Sequence, residues 1–435
     1  MPTSRRRSDG RGRRSGPPWR SALAALALLA LGACVPRTVA PPGAPGLPGR
    51  QPELRVGLAV DTTRVELSSP RGLEIASERG EVVRRVRPGE TAAVSAGADG
   101  RLVVRVGGSE TAAGGTLLVA RPVDGGLVHI AGKPYRGSAV VRLAAPGRVT
   151  AINQLDMEQY LLGVVPREIG PVGPELLEAA KAQAVAARTY AVKYLGRRRG
   201  LGFDVYATVQ DQVYGGVEAE HDPVSRAVRE TAGEILEYGG EPIEAYYHST
   251  CAGRTAAIEE VWPQERPRPY LVSVLDVNPI TGEAFDRSSS RYEWTQRWTV
   301  PELTRILNQT LRDSLPAGAG SIGEIRGFEV LDRSFSGRIR AMRISTTAGD
   351  FVVGGDRIRW IFLTPQGSIL NSSKFDVRIV RDAQGRPQEI VATGGGWGHG
   401  IGMCQVGAMG RARAGQDYRT ILRTYYPGAR LRDLY

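Results

Sequence analysis

The chain has 435 residues, 41% of them hydrophobic, and a formal charge of +12, which is length enough for two packed cores at about 100 to 200 residues per domain. Half of that excess charge comes from seven arginines that precede Ala33 against the single Asp9. The remainder is spread thinly with no aromatic-interleaved basic stripe, which argues against a nucleic-acid partner and suits a protein facing an anionic wall or membrane.

In chain order, the arginines lead into an apolar run, Ala22 to Leu31. It is too short to span a bilayer but suits a secretory signal. Its end, Leu31-Gly32-Ala33-Cys34, resembles the lipobox of bacterial lipoproteins, so residues 1–33 read as a lipoprotein-type signal peptide and Cys34 as the lipidated residue. A plain signal peptide with a chance cysteine is the alternative. Residues 34–52 are rich in Pro and Gly and form an extended tether. The expectation is an exported protein, lipid-anchored and facing the cell wall or periplasm.

Residues 53–153 carry short β-rich runs such as "LRVGLAV" and "RLVVRV" between Gly, Pro and Asp turn signals. They predict a β-rich N-terminal module without helices. At Leu155 the period changes to that of a short helix, "LDMEQYLLGVV", and Glu168 follows it. Pro174 and Glu175 open a long helix through about Leu195, in which Leu176, Leu177, Ala180, Ala184, Ala187 and Ala191 make one narrow, tightly packed face. Then come a helix capped by Asp222, a strand ending at His248, a helix in "PELTRILNQTLR", a hairpin around Phe335-Ser336-Gly337 and a short C-terminal helix, "YRTILRTYYPG". The fold class is mixed α+β: the β-rich module joined to an α/β domain, residues 154–435, built around the small-residue helix.

Several stretches carry candidate chemistry. "GGGWGHGIGMCQ" packs glycines around His399, so its backbone approaches something closely. It has neither the Lys-Ser/Thr of a phosphate loop nor the βαβ context of a dinucleotide fold, and His399 is either ligand-facing or a structural histidine of a tight turn. "VQDQVYGG" groups Asp211, Gln212 and Tyr214, a polar set suited to sugar hydroxyls or to holding a loop. His248 and Cys251 stand at a metal-site spacing, and Cys404 follows His399 by five residues. Zinc held by His248, Cys251, His399 and Cys404 is one reading, and a Cys251–Cys404 disulfide, favoured for an exported chain, is the other. Neither a G-x-S-x-G elbow nor an H-E-x-x-H helix is present. Glu168 is an acid catalyst or an ordinary surface glutamate.

"YLLGVVPREI", "AAKAQAVAARTYA", "DQVYGG", "YYHSTCAGRT" and "GGWGHGIGMCQVGAMGRA", in this order, resemble the bacterial stage II sporulation protein D and amidase-enhancer LytB family. The resemblance covers the chain from about Leu54 onward, most closely after Leu155. It implies a cell-wall protein acting on peptidoglycan: either a lytic transglycosylase that cuts glycan strands stripped of stem peptides, or a non-catalytic enhancer that binds the wall and partners an N-acetylmuramoyl-L-alanine amidase. Glu168 matches the transglycosylases' catalytic acid, and Arg188, Asp211, Gln212, Tyr214, His399 and Gln405 are the substrate-binding candidates. No cofactor is required, with zinc the one candidate. Many relatives have Ser where this chain has Cys404, which gives Cys251 a potential partner.

The resemblance agrees with elementary chemistry. A glycosidase that uses water needs two carboxylates, whereas a lytic transglycosylase manages with one, because the sugar's C6 hydroxyl attacks C1 and closes an anhydro ring. That carboxyl must begin protonated. A semi-buried seat beside Val164, Val165 and Ile169, with Arg167 pointing outward, is expected to raise its pKa by desolvation.

Overall fold

The computed structural model describes residues 50–315 and 320–435. The expected export signal, Cys34 and the tether up to residue 49 lie outside them. The described chain is mixed α and β, and among its residues no helix is long and apolar enough to cross a membrane.

The N-terminal strands alternate in burial, as Leu102–Val106 does with Leu102, Val104 and Val106 inward, the period-two signature of strands with one face on a core. They form two sheets. Six strands run in the order Lys133–Tyr135, Val128–Ile130, Arg64–Ser68, Thr91–Ala96, Leu102–Val106 and Ser109–Ala112. The other sheet has seven, in the order Val205–Tyr206, Glu53–Thr62, Arg148–Asp156, Ser138–Ala145, Leu117–Pro122, Leu73–Ser77 and Val82–Val86. The only helical turn here is the 3-10 segment Val123–Gly125.

The expected boundary at residue 153 falls inside a strand, Arg148–Asp156, and the later chain lends Val205–Tyr206 to the seven-stranded sheet, in parallel with Glu53–Thr62. One apolar core therefore runs from Leu54 and Val94 through Tyr160 and Ala184 to Tyr425.

Helix α1 (Met157–Ile169) continues directly from strand Arg148–Asp156. Pro166 interrupts its last turn, and Gly170, at φ 87°, ends it in a conformation that favours glycine. Pro174–Leu176 makes a 3-10 turn that opens α2 (Leu177–Lys193). The single packed face expected for α2 is too modest. Every residue from Ala182 to Val192 is buried, because small side chains let α1, α3 (Asp222–Glu230), the strand Glu234–Tyr238, α7 (Gln405–Arg413) and α8 (Tyr418–Tyr425) approach from all sides. Asp222 is the first residue of α3 rather than its cap; His221 holds the cap position without a side-chain bond. Asp222 there still complements the positive end of the helix dipole. A one-turn helix, α4 (Ile258–Val261), follows later in the chain.

The strand expected to end at His248 is two short pieces, Glu241–Pro242 and Tyr247–His248. The second pairs in parallel with Met403–Cys404, setting His248 opposite Cys404. A second apolar core, within residues 294–392, gathers Trp298, Leu307, Met342 and Phe362. It is built from the sheet Trp294–Thr299, Pro387–Gly394 and Phe375–Arg381, the meander Ile325–Arg333, Ile339–Thr346 and Gly349–Gly354, and helices α5 (Val300–Thr310) and α6 (Arg357–Ile361). The expected hairpin is present, closed by the Gly337 N–H donating to Ser334 O at 2.9 Å. The helix expected in "PELTRILNQTLR" is α5, fixed by a capping box between Thr299 and Glu302.

Candidate active site

Glu168 sits in the last turn of α1, half-buried, with its neighbours Val164, Val165 and Ile169 buried and Arg167 exposed. Burial pushes its carboxyl up from 4.5 to about 7, and no charged neighbour contributes to the shift. The helix C-terminus, the negative end of the dipole, acts in the same direction. Against this, the Val213 N–H donates to Oε1 at 2.8 Å, and the side chains of Tyr247 and Gln405 favour the charged form. Desolvation outweighs them, so near neutral pH the group exchanges a proton readily.

Separate elements bring the polar groups around it. Gln212 is fully buried: its Nε2 donates to Ala187 O at 3.2 Å and to the Tyr247 hydroxyl at 3.1 Å, while its Oε1 accepts from the Tyr160 hydroxyl at 3.1 Å. It braces Tyr247, half-buried against the carboxylate. Gln405, the first residue of α7, is tied to α2 through Nε2 and Gln183 Oε1 at 3.3 Å. Tyr247 and Gln183 were not picked out from the sequence. A lone buried amide in an alanine-rich helix was the available signal for Gln183, since a buried polar group needs a partner.

Three sequence candidates are placed as internal braces. Arg188 is fully buried, its Nε and Nη2 clamping Glu158 at 2.7 and 2.8 Å and its Nη1 donating to Glu234 O at 3.0 Å. No face of it reaches solvent. Asp211 is enclosed by Arg198 at 2.8 Å, the Tyr206 N–H at 2.8 Å and the Tyr190 hydroxyl at 3.2 Å. Tyr214 packs between the rings of Tyr135 and Tyr160, at 5.7 and 5.1 Å, and donates to Asn153 Oδ1 at 2.8 Å. Asp211, Gln212 and Tyr214 thus hold a loop whose Val213 N–H meets Glu168.

The glycine-rich loop packs as closely as its composition demands. At Gly402 a Cβ would run into the Tyr246 carbonyl, and at Gly398 it would lie 2.8 Å from His248 Cβ. His399 accepts the Ile401 N–H on Nδ1 at 3.0 Å and lies 5.4 Å, ring to ring, from Trp262. Burial lowers its pKa to about 4, so it is neutral. Among the described residues two overlapping groups contain sulfur: His248, Cys251 and Cys404, without His399, and Cys251, Asp276 and Asp286. Of the four expected ligands His399 stands outside the first group, its ring 5.6 Å from that of His248 and 5.4 Å from that of Trp262, while strand pairing sets His248 against Cys404. The cysteines stand as buried free thiols, Cys251 donating to Asp276 Oδ2 at 3.4 Å and Cys404 to Ser249 O at 3.6 Å.

The stage II sporulation protein family matches residues 145–238, which contain Glu168, and a domain of unknown function matches residues 279–402, which contain the second core. Stage II sporulation protein D of Bacillus amyloliquefaciens is 30% identical over 293 residues, covering 64% of this chain and 74% of that protein. An uncharacterized protein of Brachyspira hyodysenteriae is 33% identical over 287 residues, 65% of this chain and 68% of the relative. The chain belongs to the stage II sporulation protein D family. The amidase enhancer of Bacillus subtilis is also similar, 31% identical over 304 residues, and this chain covers 40% of its length. Of the residues around Glu168, the family match spans Gln183, Gln212 and Val213, whereas Tyr247 and Gln405 lie beyond both matched stretches.

Proposed function

We propose that the protein is a peptidoglycan lytic transglycosylase in which Glu168 is the general acid and then the base. The observation that supports this reading is the seat of Glu168 in the last turn of α1, where its carboxyl meets the Val213 N–H at 2.8 Å with no ion-pair partner among the described residues and burial pushes it up to about 7. Protonated Glu168 donates to the glycosidic oxygen as the C1–O bond breaks. The carboxylate then takes the proton of the sugar's C6 hydroxyl as its oxygen bonds to C1, and the product is a 1,6-anhydro sugar with no water consumed. Hydrolysis would need a second carboxylate about 5 to 9.5 Å from the first, and Asp211, the acid on the adjoining loop, is committed to Arg198 and the Tyr206 N–H. Tyr247 and Gln405 orient the Glu168 carboxyl.

The substrate in this reading is glycan stripped of stem peptides, and the protein works outside the cell, anchored through Cys34. The test is mass spectrometry of denuded glycan incubated with the full chain. Anhydro-muramyl ends appear, and Glu168→Gln reduces them by about 10² to 10⁴-fold, as loss of acid–base help does, while strand binding survives. The similarity to an amidase enhancer supports a second reading, a non-catalytic activator. Stimulation of an added amidase without anhydro ends would select it.

A further inference from the structure

The cluster of His248, Cys251 and Cys404 is used by no step of the cleavage. We infer that it is a binding site for a soft divalent cation of the zinc class. One ligand atom from each of the three residues lies within 4.8 Å of the others, and all three side chains are buried. His248 Nδ1 faces the Ile401 carbonyl at 3.2 Å, and since a carbonyl only accepts, the proton is on Nδ1 and the lone pair on Nε2. That Nε2 is buried without a partner. Metal-binding histidines are arranged this way, the second nitrogen donating to a carbonyl and fixing the tautomer.

The sulfurs are similarly prepared. Cys404 Sγ accepts the Gly407 N–H at 3.3 Å. Asp286 is fully buried, accepts the N–H groups of Cys251, Ala252 and Gly253 at 2.8, 2.7 and 3.0 Å, and has Oδ2 3.7 Å from Cys404 Sγ. Two thiolates and an imidazole are a donor set for zinc, with the Asp286 carboxylate beside Cys404. Binding a divalent ion releases both thiol protons to solvent, so the ion's two charges replace two protons. Such a clamp joins strand Tyr247–His248 to the start of α7, and so would hold Tyr247 and Gln405, each one residue from a ligand, in place. The inference does not depend on what Glu168 does, and its test does not use cleavage.

The exported full chain is purified without chelator, and its metal is measured by elemental mass spectrometry. Cys251 and Cys404 are mapped by alkylation under denaturing conditions with chelator present. Expected are about one equivalent of zinc and both cysteines alkylated, together with a sulfur-to-metal charge-transfer band after cobalt exchange. The Cys251→Ser, Cys404→Ser double variant should lose the metal and the band at least tenfold. A Cys251–Cys404 disulfide peptide overturns the inference, as do two reactive thiols carrying under about a tenth of an equivalent after zinc dialysis. Because the wild-type measurements decide the question, a variant that fails to fold does not.

Discussion

Glu168→Gln tests the buried proton separately from the chemistry. The amide oxygen of Gln can still accept the Val213 N–H, but Gln has no charge to desolvate. Glu168 is raised from 4.5 to about 7 in the folded protein. A folded-state pKa above the unfolded value means that the group's contribution is fully present below pH 4.5 and is lost as pH rises through 7. Each pKa unit is worth about 1.4 kcal/mol, and the half-buried side chain retains some screening, so the pH-dependent change is about 2 to 3 kcal/mol. Urea unfolding, followed by the near-ultraviolet signal of the tyrosines around the site, is measured for both proteins at pH 4.5 and pH 8. The variant should gain on the parent by that amount between the two pH values, becoming the more stable protein at pH 8 relative to its standing at pH 4.5. Cleavage by the parent should fall above pH 7 as the acid form disappears. A difference that stays within about half a kcal/mol at both pH values, the ordinary range of a surface substitution, refutes the buried acid.

Arg188→Met leaves Glu158 without its clamp at 2.7 and 2.8 Å; stability should drop by about 3 to 5 kcal/mol in the same denaturation assay, with cleavage per folded molecule unchanged. Gln212→Leu removes the brace between Tyr160 and Tyr247 and should cost about 1 to 3 kcal/mol, with product release of anhydro-muramyl ends falling further than the folded fraction does. Cys34→Ser should block lipidation and leave an unprocessed or soluble form, because the thioether needs the thiol and loss of the acyl chains removes the anchor; a variant processed and fractionating with membranes like the parent removes the lipobox reading.

Local patterns in this chain were legible where local physics decides the outcome. The alternation in Leu102–Val106 and the turn at Gly337 mark strands without knowledge of their partners. Likewise the Thr299 and Glu302 pair marks the start of α5. What long-range pairing decides was not legible. Nothing in "DVYATV" announces that Val205 joins the edge of a sheet begun at Glu53, or that Arg148–Asp156 makes the β module and the helices share one core. The second core failed to stand out for the same reason: its strands read like any others until Trp294–Thr299 and Pro387–Gly394 close around α5.

The site divides along the same line. The apolar seat of Glu168 was readable because its neighbours in the chain, Val164, Val165 and Ile169, are also its neighbours in the helix, so desolvation could be inferred locally. Arg188 and Asp211 look in sequence like ligand-binding groups, yet a charge needs a partner when buried, and their partners, Glu158 and Arg198, were invisible until the fold set them at 2.7 and 2.8 Å. Those ion pairs also limit the chemistry at Glu168. With the nearby loop acid paired to its own arginine, the proton on Glu168 answers to burial, opposed by the hydrogen bonds from Val213, Tyr247 and Gln405. A lone carboxyl that holds its proton until a sugar's leaving oxygen takes it, and then accepts one back from the same sugar, requires that isolation. An unpaired Asp211 would instead add a second negative charge and push Glu168 further toward its protonated form, shrinking the base form needed for the second half of the reaction.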